Sequence, residues 1–254
     1  MLDFVRQRRT THPADLEARF GSERAVNGWG GFSKATTRAL HSLHYHGLLR
    51  VARRRDGIRV YQAASPHPEP LTPAERSQRL VLLVTRILAP VPAASLGATF
   101  GLLRRGAPGI KDWGRAVQAL LASGEIESGD VDGVKYLWPA ETRRVERDQE
   151  PAVRLLAPFD PVVWDRRRFE HLWGWPYRFE AYTKPAKRQL GYYAMPLLWR
   201  DRVIGWGNVA VKDGALEAEF GSVAPASGER AFRRELEIEL ERMRGFLGVS
   251  DTLK

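Results

Sequence analysis

Cysteine is absent from the 254 residues, which excludes disulfides, thiolate nucleophiles and Cys-ligated zinc or iron–sulfur centres. That absence suits a reducing compartment, and the cytoplasm is the expected location. Long apolar runs are missing as well. The opening MLDFVRQRRTTHPADLEARF has no apolar signal-peptide core, and no run of about 18 apolar residues follows, so neither secretion nor membrane spanning is expected. There is no G-x-S-x-G elbow, no Walker loop and no G-x-G-x-x-G after a strand, so neither a triad hydrolase nor a nucleotide cofactor is indicated. Acidic residues are outnumbered, with 30 Asp and Glu against 40 Lys and Arg, leaving a net charge of +10. The isoelectric point near 10.2 makes a polyanion the first partner to consider.

The positive charge is concentrated. Residues 1–60 contain twelve Lys and Arg against five Asp and Glu, so this first part carries seven of the ten excess charges. SPHPEPLTP, from Ser65 to Pro73, reads as a linker, because prolines so closely spaced deny a helix or a central strand. A second break falls in the charged stretch from Glu141 to Pro151. The expected divisions are residues 1–64, a linker at 65–72, residues 73–140 and residues 150–254.

In the first division, FVRQRR and PADLEARF supply short helices, and SKATTRALHSLHYHGLL begins with Ser33, a favoured N-cap, and stops at Gly47. Ala35, Ala39, Leu40 and Leu43 recur at helical spacing, leaving Lys34, Thr37, Arg38 and His41 on the polar face. LRVARRRDGIRVYQ then reads as two strands around an Asp56-Gly57 turn, with Arg53, Arg54, Arg55 and Arg59 at the tip. Helices followed by a basic hairpin make a winged helix-turn-helix, whose helix enters the major groove while the wing lies on the backbone. The competing view is a small domain with a merely solvated arginine face. His41, His44 and His46 form H-x-x-H-x-H, but with no cysteine and no clear acidic third ligand no metal is expected.

The second division repeats the plan with less charge. Thr72, Pro73 and Glu75 form a near-complete capping box for a helix, AASLGATFGLL and KDWGRAVQALLASGEI supply two more, and SGDVDGVKYLWP is a hairpin around Asp132-Gly133. Its wing holds Asp130, Asp132 and one basic residue, Lys135, and is expected to pack or to touch the backbone weakly rather than to read DNA. The third division is strand-rich. Asp160 before Pro161 is an N-cap, PYRFEAYT, LGYYAMPLLW, RVIGWGNVAV and ALEAEF are four expected strands, and SGERAFRRELEIELERMRGFLG is a covering helix. That helix has Phe232, Leu236, Leu240, Met243, Phe246 and Leu247 on one face. Between the first two strands Lys184, Lys187 and Arg188 crowd a loop beside Tyr182, Tyr192 and Tyr193, suited to phosphates and base stacking as well as to an ordinary hairpin tip. The expected class is α+β, with two tandem winged helix-turn-helix domains and a C-terminal β-sheet or small barrel with a covering helix.

LLAPFDPVVWDRRRFEHLWGWPYRFEAYTKPAKRQLGYYAMPLLWRDRVIGWGN resembles the C-terminal signature of the YcaQ-like crosslink-repair DNA glycosylases, and GWGGFSKATTRALHSLHYHGLLRVARR resembles the family's second winged helix. The resemblance covers essentially the whole chain. It implies a monomeric protein that binds damaged or alkylated double-stranded DNA and hydrolyses the N-glycosidic bond of bulky alkylated purines, including those in interstrand crosslinks. It also implies an additional N-terminal winged helix with a Gln-x-Asp or Gln-x-Gln motif that positions the attacking water. Here Gln7, Gln62, Gln78, Gln118, Gln149 and Gln189 all lack Asp or Gln two positions later. The sequence is therefore expected to begin near the family's second winged helix and to lack catalytic power as this chain, and no catalytic residue is assigned. If a carboxylate served instead, Asp165, Glu170 and Glu180 would be first to consider. A non-enzymatic winged-helix regulator or architectural protein is the alternative.

Overall fold

A computed structural model of the chain describes residues 1–27, 30–65, 71–104, 106–142, 151–225 and 229–249. Most of the expected linker and most of the charged stretch after Glu141 lie outside the described residues. The fold is α+β and divides into two compact units, Met1–Arg76 with Leu103–Lys111, and Ser77–Leu102 with Asp112–Lys254.

In the first unit, helices α1 (Leu2–Arg6) and α2 (Pro13–Phe20) precede a short hairpin of β1 (Arg24–Val26) and β2 (Phe32–Lys34). Helix α3 (Ala35–Tyr45) and the hairpin β3 (Leu49–Arg55) and β4 (Ile58–Ala63) follow. The core is Val5, Leu16, Leu40, Leu49 and Tyr61, one residue each from α1, α2, α3, β3 and β4. Burying each of the leucines stabilises the unit by about 2 kcal/mol before entropy is counted. Asp56 (φ 51°) and Gly57 (φ 76°) are both left-handed, the pair of conformations a two-residue hairpin turn demands.

Ser33 does not cap α3. Its backbone pairs with Ala25 in the β1–β2 ladder, and Glu23 O accepts from Ala35 N at 2.8 Å, so a strand end takes one of the helix's unpaired N–H groups. The β1–β2 hairpin is absent from the sequence reading. Asn27 helps close it, its side chain accepting from Gly31 N at 3.0 Å.

The second unit contains α4 (Pro73–Leu88) beyond its first turn, β5 (Val91–Pro92), α5 (Ala93–Leu103) up to Leu102, α6 (Trp113–Ala122), and the hairpin β6 (Ile126–Val131) and β7 (Val134–Pro139). The Thr72–Glu75 capping box forms as expected: Thr72 N donates to the Glu75 carboxylate at 2.7 Å and Glu75 N to Thr72 Oγ1 at 3.2 Å. Trp113 stacks on Phe100 (5.5 Å, 11°), and a Cβ at Gly97 would lie 3.1 Å from the Trp113 ring, so the glycine keeps that close approach open. Strand β5 joins β7 to give the order β5-β7-β6.

The same unit continues with β8 (Val153–Leu155), α7 (Pro161–Trp164), α8 (Arg166–Trp173), a 3-10 turn at Pro185–Lys187, β9 (Met195–Trp199), β10 (Arg202–Lys212), β11 (Ala215–Ser222) and α9 (Glu229–Leu247). These strands form an open antiparallel sheet ordered β11-β10-β9-β8, and among the described residues no barrel closes. Phe232 and Leu236 of α9 cover Val153, Leu197, Trp199 and Ile204. The buried Glu239 of α9 accepts from Leu155 N at 3.1 Å, so a carboxylate partners the edge strand. The apolar face of α9 is shorter than expected: Phe246 is 89% exposed.

PYRFEAYT is not a strand. Tyr177 and Phe179 do pack inward, but the segment's bonds run elsewhere: Tyr177 Oη donates to Ala194 O at 2.7 Å, and the Glu180 carboxylate takes Gln189 N and Leu190 N at 2.9 and 2.7 Å. The sheet position expected for it is filled by β8, which pairs with β9 through Val153–Trp199, Arg154–Leu198 and Leu155–Leu197.

Candidate nucleic-acid interface

Reciprocal bonds between Thr11 and Tyr61, 2.7 and 2.9 Å long, tie the start of α2 to strand β4. His12 then caps α2: its Nδ1 accepts from Ala14 N at 3.2 Å, and its own N–H donates to Asp15 at 2.8 Å. A ring nitrogen used as acceptor leaves the proton of the neutral imidazole on Nε2. The N-terminal turns of α2 and α3 and the tip of the β3–β4 hairpin enclose a groove of about 530 Å³. Lys34, Thr37 and His41 line it from the α3 side, Arg54 and Arg59 from the hairpin, and His12 and Glu17 from α2, over a floor of Leu40 and Tyr61. The fold thus brings together five of the eight residues proposed for this part of the molecule.

The cations are not equally available. Lys34 Nζ lies 2.6 Å from the Glu17 carboxylate, a half-exposed ion pair that neutralises it inside the groove. Arg38 is exposed but donates to Val26 O, which spends it on holding β1 against α3. Arg54 donates to Gly57 O at 2.9 Å and braces the turn. Arg53, Arg55 and Arg59 are exposed and make no ion pair among the described residues. A register shift in β3 between Val51 and Arg53 kinks the strand just before its three consecutive arginines, and every residue from Arg50 to Arg59 is exposed.

The sequence reading missed His12 and Glu17. The signal was present: His before Pro at the first helical position, with Asp three residues after the His, is a cap signature that places that turn. The histidines 41, 44 and 46 do not converge: His44 packs edge-on to Tyr61 (5.9 Å), His46 against Tyr45 (5.5 Å), and His41 faces the groove. Among the described residues no three His, Asp or Glu assemble as a metal would require.

In the second unit, Lys184 and Lys187 are exposed around the 3-10 turn, while Arg188 is half-buried, donating to Thr183 O at 2.9 Å with its guanidinium 4.9 Å from the Tyr192 ring centre. The carboxylates considered for catalysis are otherwise engaged or uncovered. Glu180 is buried under two backbone N–H groups, Asp165 caps α8 through Arg168 N at 3.3 Å, and Glu170 is exposed on α8.

Arg168 is a buried cation with a structural partner set: it donates to Leu88 O, Pro161 O and, at 3.2 Å, Pro90 O. Burial lowers its pKa, opposed by the nearby Asp165 and Tyr136. Tyr136 Oη lies 2.6 Å from His171 Nδ1, and burial raises its pKa against the attraction of Arg168. Burial likewise raises the hydroxyl of Tyr177 well above the ordinary tyrosine range. Arg168 joins α8 to the end of α4 and to α7, and the Tyr136–His171 bond joins β7 to α8.

A basic groove beside a projecting hairpin of arginines is the equipment of a protein that acts on a polyanion. A family model described as DNA glycosylase AlkZ-like matches residues 1–246, and the chain belongs to that family, whose substrate is DNA. No helix among the described residues is long and apolar enough to cross a membrane.

Proposed function

We propose that this chain is the duplex-engaging part of a crosslink- and alkylation-repair glycosylase system, using the first unit as a winged helix. Helix α3 approaches the major groove, and the β3–β4 wing holds adjacent phosphates through Arg53, Arg54, Arg55 and Arg59. The observation that carries this reading is the 530 Å³ groove, where Lys34, Thr37 and His41 of the helix meet Arg54 and Arg59 of the wing. Lys184, Lys187 and Arg188 add a phosphate contact from the second unit. The substrate is damaged or alkylated duplex, the protein acts as a monomer, and the compartment is the cytoplasmic nucleoid.

Base excision needs a group that orients water and offsets charge at the sugar as the N-glycosidic bond breaks. Glu180 is occupied by two backbone N–H groups, one oxygen of Asp165 caps α8 while the other is buried without a hydrogen-bond partner among the described residues, and no Gln-x-Asp or Gln-x-Gln occurs in the sequence. On this reading the chain binds alkylated duplex and releases no base faster than spontaneous depurination. The assay is release of N7- or N3-alkylated purine from a duplex oligonucleotide, with spontaneous loss subtracted. Multiple turnover would overturn the binding-only reading, and its loss in Glu170→Gln would then locate the acting carboxylate.

A further inference from the structure

The second unit carries an exposed aromatic surface that a contact to duplex phosphates does not use. Tyr182 is 90% exposed, Phe159 63% and Tyr192 61%, with Tyr193 at 39%. Single exposed rings are ordinary, whereas a contiguous patch of them marks a contact surface. Three of the four are joined through one residue: Phe179 meets Phe159 (5.5 Å, 73°), Tyr182 (6.2 Å, 87°) and Tyr193 (5.1 Å, 87°), each edge to face. Phe179 itself packs into the core of Val163, Phe169, Tyr177 and Val203, so the surface is anchored rather than loose.

The loop beneath these rings is fixed in advance of any ligand. Glu180 takes the backbone N–H of Gln189 and Leu190, Thr183 N donates to Glu180 O at 2.9 Å, and Asn208 Nδ2 donates to Leu190 O at 2.7 Å. Gly191, at φ 111°, completes the bend, and a Cβ there would come within 2.6 Å of the Asn208 amide. From Ala181 to Tyr193 there are three cations and no acidic residue. Lys184 and Lys187 make no ion pair among the described residues, and Arg188 lies over Tyr192.

Open ring faces, a rigid mount and uncompensated cations on one loop match a ligand that presents flat apolar groups and phosphates together. A perfect duplex offers phosphates but keeps its base faces stacked, whereas an unpaired strand offers both. We infer that the surface formed by Tyr182, Phe179, Tyr193, Lys184 and Lys187 binds unpaired nucleotides. It would do so at a gap, a bulge or a strand opened beside a lesion. The inference deepens the DNA reading and rests on it, but it concerns a surface separate from the wing.

The test uses the full 254-residue chain and two labelled probes, a dT oligomer of about 12 nucleotides and a perfect duplex. Tyr182→Ala should weaken oligo-dT binding about tenfold, in the range that base–aromatic stacking supports, and leave duplex affinity within about twofold. Tyr182→Trp, which restores a ring face, should recover oligo-dT binding. Lys184→Ala with Lys187→Ala should flatten the salt dependence for oligo-dT by about 0.7 in slope for each phosphate no longer neutralised. Unchanged oligo-dT affinity in Tyr182→Ala, equal losses on both probes, or failure of Trp to rescue would each overturn the inference. So would Tyr182-dependent binding to phosphatidylserine-rich vesicles with oligo-dT binding unaffected, which would make the occupant an anionic lipid surface. Failure of the wing reading shows elsewhere, as duplex affinity insensitive to Arg53, Arg54 and Arg55.

Discussion

The β3–β4 and β6–β7 hairpins share one backbone design and differ in almost everything the side chains contribute. Each follows a helix and turns at Asp-Gly with both residues left-handed, φ 51° and 76° at Asp56-Gly57 against 47° and 77° at Asp132-Gly133. From Leu49 to Ala63 the first carries five arginines and one aspartate, whereas from Ile126 to Pro139 the second carries three acidic residues and one lysine. The first is a two-stranded ribbon, kinked by its register shift and tied at Tyr61 to Thr11, while the second supplies the central strand β7 and the edge strand β6 of a three-stranded sheet with β5. The lesson is that turn chemistry specifies the hairpin and says nothing of its use. Charge and the neighbouring elements are what set the two apart.

If the second hairpin serves packing, damage to its supports should appear in stability and not in binding. Arg168→Met would strip the carbonyls of Leu88, Pro90 and Pro161 of their donor in a buried site. It should cost about 3 kcal/mol or more and lower the thermal midpoint by roughly 10 °C, with duplex affinity retained well below the transition. Calorimetry and fluorescence anisotropy on the same variant check both halves.

A smaller effect separates two buried tyrosines on the returning strands. The Tyr136 hydroxyl is bonded to His171, whereas the Tyr61 hydroxyl is buried with no partner. Tyr136→Phe should therefore cost about 1 kcal/mol in urea unfolding, and Tyr61→Phe should be neutral or slightly stabilising. Equal costs would erase the distinction drawn between the two hairpins' supports.

The smallest effect sharpens the charge side of the comparison. Glu17 neutralises Lys34 in the groove, so Glu17→Gln should free a cation and tighten duplex binding a few-fold at low salt. A weaker complex in that variant would show that the ion pair positions the helix rather than restrains it.

The basic helix, both Asp-Gly hairpins, the Thr72 and Asp160 caps and the covering helix were legible because each rests on local chemistry within a few residues. Helix α3's true start was not, since Ala35 N is taken by Glu23 O across a hairpin that periodicity does not reveal. PYRFEAYT misled for a related reason. Alternation reports which side chains face inward, and Tyr177 and Phe179 do, but it does not report whether the backbone finds a ladder or, as here, Glu180 and Ala194 O. Strands β5 and β8, two and three residues long, carry too little pattern to be seen. Of the site, the cations were legible by type and run, whereas Glu17 beside Lys34 and the tethering of Arg38 by Val26 O depend on tertiary contacts.

The salt dependence of duplex binding tests the contrast between the two hairpins most directly. For the intact chain, for Arg53→Ala/Arg54→Ala/Arg55→Ala and for Asp130→Asn/Asp132→Asn, the logarithm of the binding constant is measured against the logarithm of salt concentration. The first variant should reduce the slope by about 0.9 for each phosphate it no longer neutralises, up to about 2.7, while the second keeps the slope of the intact chain. An unchanged slope in the arginine variant, or a larger change in the aspartate variant, would contradict the assignment of the first hairpin as the DNA-contacting wing.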